Sequence, residues 1–185
     1  MFRITSVHDI MNVFRQRGHC QYGEDVTELQ HALQCAEFAC QFGESNGIIL
    51  SCLLHDLGHM LHDLGEDIAG HGVDARHEDL GAELLRDIFP PEIVAPIRLY
   101  VAAKRYMCWR DATYADGLSP SSLFSLKLQG GQMSDIEAAE FESEPCYKTA
   151  IQVRRYDDMA KVHDMQTAEF ESYRELMERF MLPRP

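Results

Sequence analysis

His55 and Asp56 stand side by side in the run Ser51-Cys52-Leu53-Leu54-His55-Asp56-Leu57-Gly58-His59, whose neighbours are largely apolar. A carboxylate in such a run is costly to bury unless it is paired or bound to a cation. An adjacent His-Asp pair can present an imidazole nitrogen and a carboxylate oxygen to one ion, and the carboxylate can also bridge two ions. Further candidate ligands are spread along the chain: His31 upstream, His77 downstream, and Asp157 within Arg154-Arg155-Tyr156-Asp157-Asp158. Mixed nitrogen and oxygen donors suit iron, manganese or zinc better than calcium or magnesium. The chain has 9 histidines, and His8, His19 and His163 are expected at the surface. A lone His31, or a lone His-Asp dipeptide, would more often be structural. The ordered set His31, His55-Asp56, His77 and Asp157 is a much stronger pointer to a metal centre.

The elements that must position these residues read as helices. Val7 to Arg17 is a short amphipathic segment, and residues 18–24 form a loop. Thr27 followed by Gln30 predicts a capping box for a helix to about Phe42, ended by Gly43. A third helix is expected from Ile48 to Leu61, then a glycine-rich loop from Gly65 to Val73. Helices follow from Arg76 to Ile88 and from Glu92 to Met107, parted by Phe89-Pro90-Pro91. Ser119 and Pro120 have the N-cap and first-turn signature of another helix, and Gly130-Gly131 breaks the chain. A short helix at 133–141 and segments from Pro145 to about Lys161 and from Gln166 to Met181 complete the reading. No convincing alternating strand is found, so the expected class is all-α, a single domain over residues 1–185. His31, His55, His77 and Asp157 fall on four different helices, which can converge their ligands in one bundle core.

The 185 residues carry Lys+Arg 17 against Asp+Glu 30, a net charge of −13. This excludes a broad basic footprint, so neither nucleic acid nor an anionic membrane is an expected partner. No run of 18 apolar residues occurs and the first residues lack an apolar signal core, so a cytoplasmic location is expected. Cys20, Cys35, Cys40, Cys52, Cys108 and Cys146 fit no zinc or disulfide spacing and read as buried reduced thiols. The acidic stretch Asp135 to Glu144 reads as solvated surface.

The order of an early His, the His-Asp pair, a further His and a late Asp resembles the HD-domain superfamily over roughly residues 20–165. Within it, several strings resemble the branch of mixed-valent diiron oxygenases that cleave phosphonates. They are Tyr22-Gly23-Glu24, His55-Asp56-Leu57-Gly58-His59, Ala103-Lys104-Arg105-Tyr106, Ser119-Pro120-Ser121-Ser122-Leu123-Phe124-Ser125, Leu128-Gln129-Gly130-Gly131 and Arg154-Arg155-Tyr156-Asp157-Asp158.

The resemblance implies an HD-type helical bundle with two irons. His31, His55, Asp56 and Asp157 would hold one, and Asp56 would bridge to a second held by His77 and a further His. It implies a phosphonate substrate and O2 as partners, with His59, Lys104, Ser122, Ser125, Gln129 and Arg154 on the substrate. Tyr22 would cap one iron until substrate displaces it, and Glu24 would close over the substrate and face a cationic nitrogen. An N-trimethyl substituent would want aromatic walls, for which Tyr22, Tyr106, Tyr156, Phe124 and Trp109 are available.

One position departs from the pattern. Four residues before Lys104, where the family has its remaining His, this chain has Tyr100. Tyr100 could bind as a phenolate, or leave the second position weak, or be replaced as ligand by His62 or His71. Two other functions share these ligands: a metal-dependent phosphohydrolase, and a binding protein without turnover.

Overall fold

The computed structural model describes residues 4–23, 26–61 and 76–183. Helix α1 (Val7–Arg17) is capped by the Ser6 hydroxyl and buries Val7, Ile10, Met11 and Phe14 along one stripe. A two-stranded antiparallel hairpin follows, β1 (Gln21–Gly23) and β2 (Val26–Thr27). It corrects the reading of this stretch as plain loop; two- and three-residue strands leave no alternation to detect. The predicted capping box forms: the Thr27 hydroxyl accepts from the Gln30 backbone, and the Gln30 side chain accepts from the Thr27 N–H. It opens α2 (Glu28–Gln41).

Helix α3 (Asn46–Leu54) is the apolar centre of the bundle, packed against α2, α5 and α8. It stops short of the predicted Leu61. His55 and Asp56 lie in the tight turns that follow, although Leu57, Met60 and Leu61 stay buried and so prolong the apolar pattern. Gly58 is why this turn works. A Cβ there would overlap the His77 carbonyl and come within 3.1 Å of the Gly81 backbone nitrogen. The His-Asp turn can therefore lie directly on the start of α4 (His77–Leu85). Arg76, just before His77, holds a left-handed φ of 46°. The predicted 65–73 loop lies outside the described residues, as do His62 and His71.

Helix α5 (Pro91–Arg110) runs the length of the bundle and pairs with α8 (Tyr147–Met159). Between them in sequence come α6 (Pro120–Leu128), capped by Ser119 as expected, and α7 (Asp135–Ser143). Gly130 and Gly131 both take positive φ, and the Gly131 carbonyl accepts from Arg105 Nε at 2.9 Å. The predicted helix from Gln166 to Met181 is instead a 3₁₀ turn (Phe170–Tyr173) and a short α9 (Arg174–Phe180). It is pinned by the Phe14–Phe170 ring contact and by Leu182 N–H on the Ile88 carbonyl.

The class is all-α, as expected. Helix α7 is not merely solvated: it buries Ala138 and Phe141, and Glu137 accepts from Arg105. The described cysteines are free thiols; Cys35, Cys52 and Cys108 are buried, but Cys40 is exposed, against expectation. No helix among the described residues is long and apolar enough to cross a membrane.

Candidate active site

Four side chains from three distant parts of the chain converge on one buried centre. His31 comes from α2, His55 and Asp56 from the turn after α3, and Asp157 from α8. His31 Nε2 lies 3.2 Å from His55 Nε2, 3.4 Å from Asp56 Oδ2 and 3.3 Å from Asp157 Oδ1. His55 Nε2 is 3.1 Å from Asp56 Oδ2. The outer nitrogens are fixed by backbone: His31 Nδ1 contacts the Ala160 carbonyl and His55 Nδ1 the Cys52 carbonyl, each at 2.7 Å. A carbonyl only accepts, so both Nδ1 atoms carry hydrogen and donate. Both Nε2 atoms are left turned inward, the tautomer and orientation that histidine ligands use.

The donor set fits a metal. Asp56 Oδ2 is buried without a hydrogen-bond partner among the described residues, although two imidazole nitrogens stand within 3.4 Å of it. Those atoms are close but not aligned for hydrogen bonding. A cation among His31, His55, Asp56 and Asp157 would satisfy them all.

A second group shares Asp56. The Tyr100 hydroxyl donates to Asp56 Oδ1 at 2.5 Å and touches His77 Nε2, while Oδ1 and Nε2 are 3.7 Å apart. The His59 ring stacks on that of His77 at 3.7 Å, and Asp56, His59 and His77 can bring ligand atoms within 4.8 Å of one another. Tyr100, only 3% exposed on α5, thus stands where the pattern places a histidine.

Burial disfavours charge here, and the neighbours decide the outcome. For His31 and His55 burial works against the proton, but the carboxylates of Asp157 and Asp56 outweigh it and hold both rings up to about 9. Burial and His59 push His77 well below the ordinary range, so it is neutral. Burial opposes the charge on Asp157, yet Arg154 and His31 hold it ionised. Burial and the Asp56 charge raise the Tyr100 phenol. Protons would compete with a metal ion for the two Nε2 atoms.

Next to these candidate ligands lies a group of buried cations and hydroxyls. Lys104 is 2% exposed and Arg154 is 3% exposed, so neither is the ordinary surface cation that its helical position alone would imply. Lys104 Nζ donates to Ser125 Oγ at 2.7 Å. Arg154 donates to Asp157 Oδ2 (2.7 Å), Ser122 Oγ (3.3 Å), the Tyr114 hydroxyl (3.2 Å) and Asp158 Oδ1. Lys161 Nζ reaches Ser122 Oγ at 3.2 Å and Ser119 Oγ at 3.4 Å. Burial, then the Arg154 charge, lower Lys104 to about 8. Cations and hydroxyls are the donor types that anions use, and here Arg154 is also paired with Asp157 and Asp158.

The Tyr22 ring stacks on His31 (3.8 Å between centroids), with its hydroxyl 3.4 Å from Asp157 Oδ1. Gln129 is the C-cap of α6, and its buried Oε1 has no hydrogen-bond partner among the described residues. Glu24 lies outside the described residues. Three of the five aromatics considered as substrate walls are engaged elsewhere: Tyr106 on Glu142, Tyr156 on Glu44, and Trp109 on Asp135. Four residues of this centre were missed from sequence: Glu28, Lys161, Tyr114 and Asp158. Glu28 is buried with an orphaned Oε2, and burial plus the Asp56 charge raise it to about 8. In sequence it looks like any acid in a helical first turn.

A helical bundle that draws a His-Asp pair, two outlying histidines and a distant aspartate onto one centre is that of an HD-domain metalloprotein. The model of the HD domain family matches residues 29–109. The chain is 42% identical over 173 residues to the hydroxymethylphosphonate dioxygenase of Gimesia maris, covering 92% of this chain and 84% of that one. It is 41% identical over 176 residues to the (1-hydroxy-2-(trimethylamino)ethyl)phosphonate dioxygenase (glycine-betaine-forming) of Leisingera caerulea, covering 95% and 90%. The chain belongs to the HD-domain dioxygenase family. It is accordingly an enzyme that works with a metal cofactor, O2 and a small-molecule substrate.

Proposed function

We propose that this chain, acting as one HD-type domain, is an iron- and O2-dependent dioxygenase that splits the C–P bond of a 1-hydroxy-2-(amino or trimethylammonio)ethylphosphonate. For the amino form the balance is 1-hydroxy-2-aminoethylphosphonate plus O2 giving glycine plus phosphate. The observation that carries this reading is the Arg154–Asp157 pair. It joins the buried cationic pocket to the metal ligands, so that a substrate's phosphonate and its C1 face one centre.

His31, His55, Asp56 and Asp157 hold one iron, and Asp56 and His77 contribute to a second. Bound iron supplies the electron exchange with O2 that the oxidation needs. The protein's own side chains do the rest. Lys104 and Arg154 neutralise the phosphonate dianion, His59 donates to it either protonated or as a neutral N–H, Ser122 and Ser125 donate to its oxygens, and Gln129 completes that wall. Asp157 keeps Arg154 ionised and aimed. The Tyr22 ring covers His31 and gives way to substrate, and by the resemblance Glu24 is the expected counter-charge for the cationic nitrogen. The names of the two relatives support a hydroxyalkylphosphonate rather than a phosphate ester.

The test is phosphate release by Fe(II)-reconstituted protein from hydroxymethylphosphonate, 1-hydroxy-2-aminoethylphosphonate and its N-trimethyl form, in air and without O2. Release that requires O2 and favours an amino or trimethylammonio substrate is the expected result. Turnover of hydroxymethylphosphonate alone would overturn the substituent, and O2-independent release from phosphate esters would make the protein a hydrolase.

A further inference from the structure

We infer that Tyr100 is a metal ligand in this chain, and that with Asp56 Oδ1 and His77 Nε2 it builds a second, oxygen-rich position that holds a ferric ion through its phenolate. The inference rests on the metal-binding reading above, but not on the identity of the substrate. Three donor atoms from three separate elements converge: the middle of α5, the first residue of α4 and the turn after α3. The phenol oxygen is 2.5 Å from Asp56 Oδ1 and touches His77 Nε2, while those two atoms stand 3.7 Å apart, so it sits between them. The ring is held in place by an edge-on contact with His55 at 5.0 Å and 90° and a tilted contact with His77 at 5.9 Å.

A phenol has one proton. Donating it to Asp56 obliges His77 to present N–H, rather than its lone pair, to the phenol oxygen. A cation at the point where the three atoms converge resolves this arrangement. The phenol O–H bond breaks and its proton leaves to solvent as an Oη–metal bond forms; the His77 Nε2 proton passes to Nδ1 so that Nε2 offers its lone pair, and no electron changes hands in that step. A phenolate and a carboxylate are hard anionic donors, and they favour the higher-charged ion over the ferrous one. The first position is made of two imidazoles and two carboxylates, and the only phenol near it is Tyr22, whose hydroxyl lies 3.4 Å from Asp157 Oδ1.

A phenolate bound to ferric ion gives a visible ligand-to-metal charge-transfer band, which carboxylate and imidazole do not. The experiment loads the protein with Fe(II) without O2, oxidises it, and records iron content, the visible spectrum and resonance Raman scattering excited in that band. Tyr22 is the necessary control, because its hydroxyl also approaches a ligand, Asp157. The expected result is a band with phenolate ring modes that survives in Tyr22→Phe and is lost in Tyr100→Phe. Tyr100→His should be equally colourless yet keep its iron, which separates ligand loss from misfolding. Proton release on loading should fall by one per chain in Tyr100→Phe. Bound iron with no band, or a band that disappears in Tyr22→Phe alone, would overturn the inference and leave the metal centre standing. No iron above trace would overturn both.

Discussion

Arg154 Nη1 donates to Asp157 Oδ2 at 2.7 Å, while the other oxygen of the same carboxylate faces His31 Nε2 at 3.3 Å. One carboxylate thus holds the buried Arg154 with one oxygen and faces the His31 imidazole with the other. Arg154→Met should therefore weaken both metal and substrate binding. Metal affinity should fall by about 10–100-fold, the usual cost of losing a group that orients a ligand, and KM for the phosphonate should rise as well. Arg154→Lys should recover part of KM but little of the metal affinity, because an ammonium cannot span Asp157, Asp158 and Ser122 at once. A competition titration for metal beside steady-state kinetics checks the pair. A variant with normal metal affinity would show that Asp157 needs no support.

Lys104 is depressed to about 8 by burial and by Arg154, so it is charged below that pH and loses its charge above it. A neutral amine holds a dianion poorly. KM should rise above pH 8, approaching about tenfold per unit, with kcat changing less. Lys104→Arg should remove this limb of the profile. An unchanged limb in that variant would assign it to another group.

Gly58→Ala should lower Tm by about 2–12 °C, from an overpacking cost of about 1–3 kcal/mol. The added Cβ meets backbone at His77 and Gly81, which cannot swing aside as a side chain would. Because the His-Asp turn would be pushed off α4, metal affinity should fall too. Calorimetry of metal-free protein isolates the packing part, and a Tm within a degree of the parent would refute it.

Glu28 has its carboxyl raised from 4.5 to about 8 by burial and by Asp56. The unfolded chain sheds this proton in the ordinary carboxylate range, so between about pH 4.5 and 8 each rise in pH favours the unfolded state at this residue. Glu28→Gln removes the penalty. Metal-free Glu28→Gln should match the parent near pH 5 and exceed it increasingly up to pH 8. Denaturant titrations at pH 5, 6.5 and 8 measure the gap, and a gap that narrows with pH would contradict the burial of this carboxyl as a neutral acid.

Much of this architecture is legible in the chain because the physics is local. Thr27 and Gln30 announce a helix start by their own hydrogen bonds, and Ser119-Pro120 does the same. The His55-Asp56 pair stands out because an acid in an apolar run demands a partner. Other features depend on what the chain meets in space. The apolar pattern from Ile48 to Leu61 cannot show that the helix ends at Leu54, since turn residues such as Leu57 are equally buried. The hairpin at residues 21–27 is too short for periodicity to register. Glu28 and Lys161 read as ordinary helix-end charges until their surroundings are known. Tyr106, Tyr156 and Trp109 are as aromatic as a substrate cage requires, but acids on α7 and in the loop between α2 and α3 hold their polar tips.

His31 reaches His55 across 24 residues and the Ala160 carbonyl across 129. In polymer terms, an ion gripping this cluster is a removable cross-link that closes most of the chain into loops. Closing long loops is where such a tie restricts the unfolded ensemble most. Without the ion, α2, α3 and α8 are held by packing and by hydrogen bonds such as those from His31 to the Ala160 carbonyl and from Gln34 to the Val162 carbonyl, so the loaded protein should unfold at a higher temperature than the metal-free one.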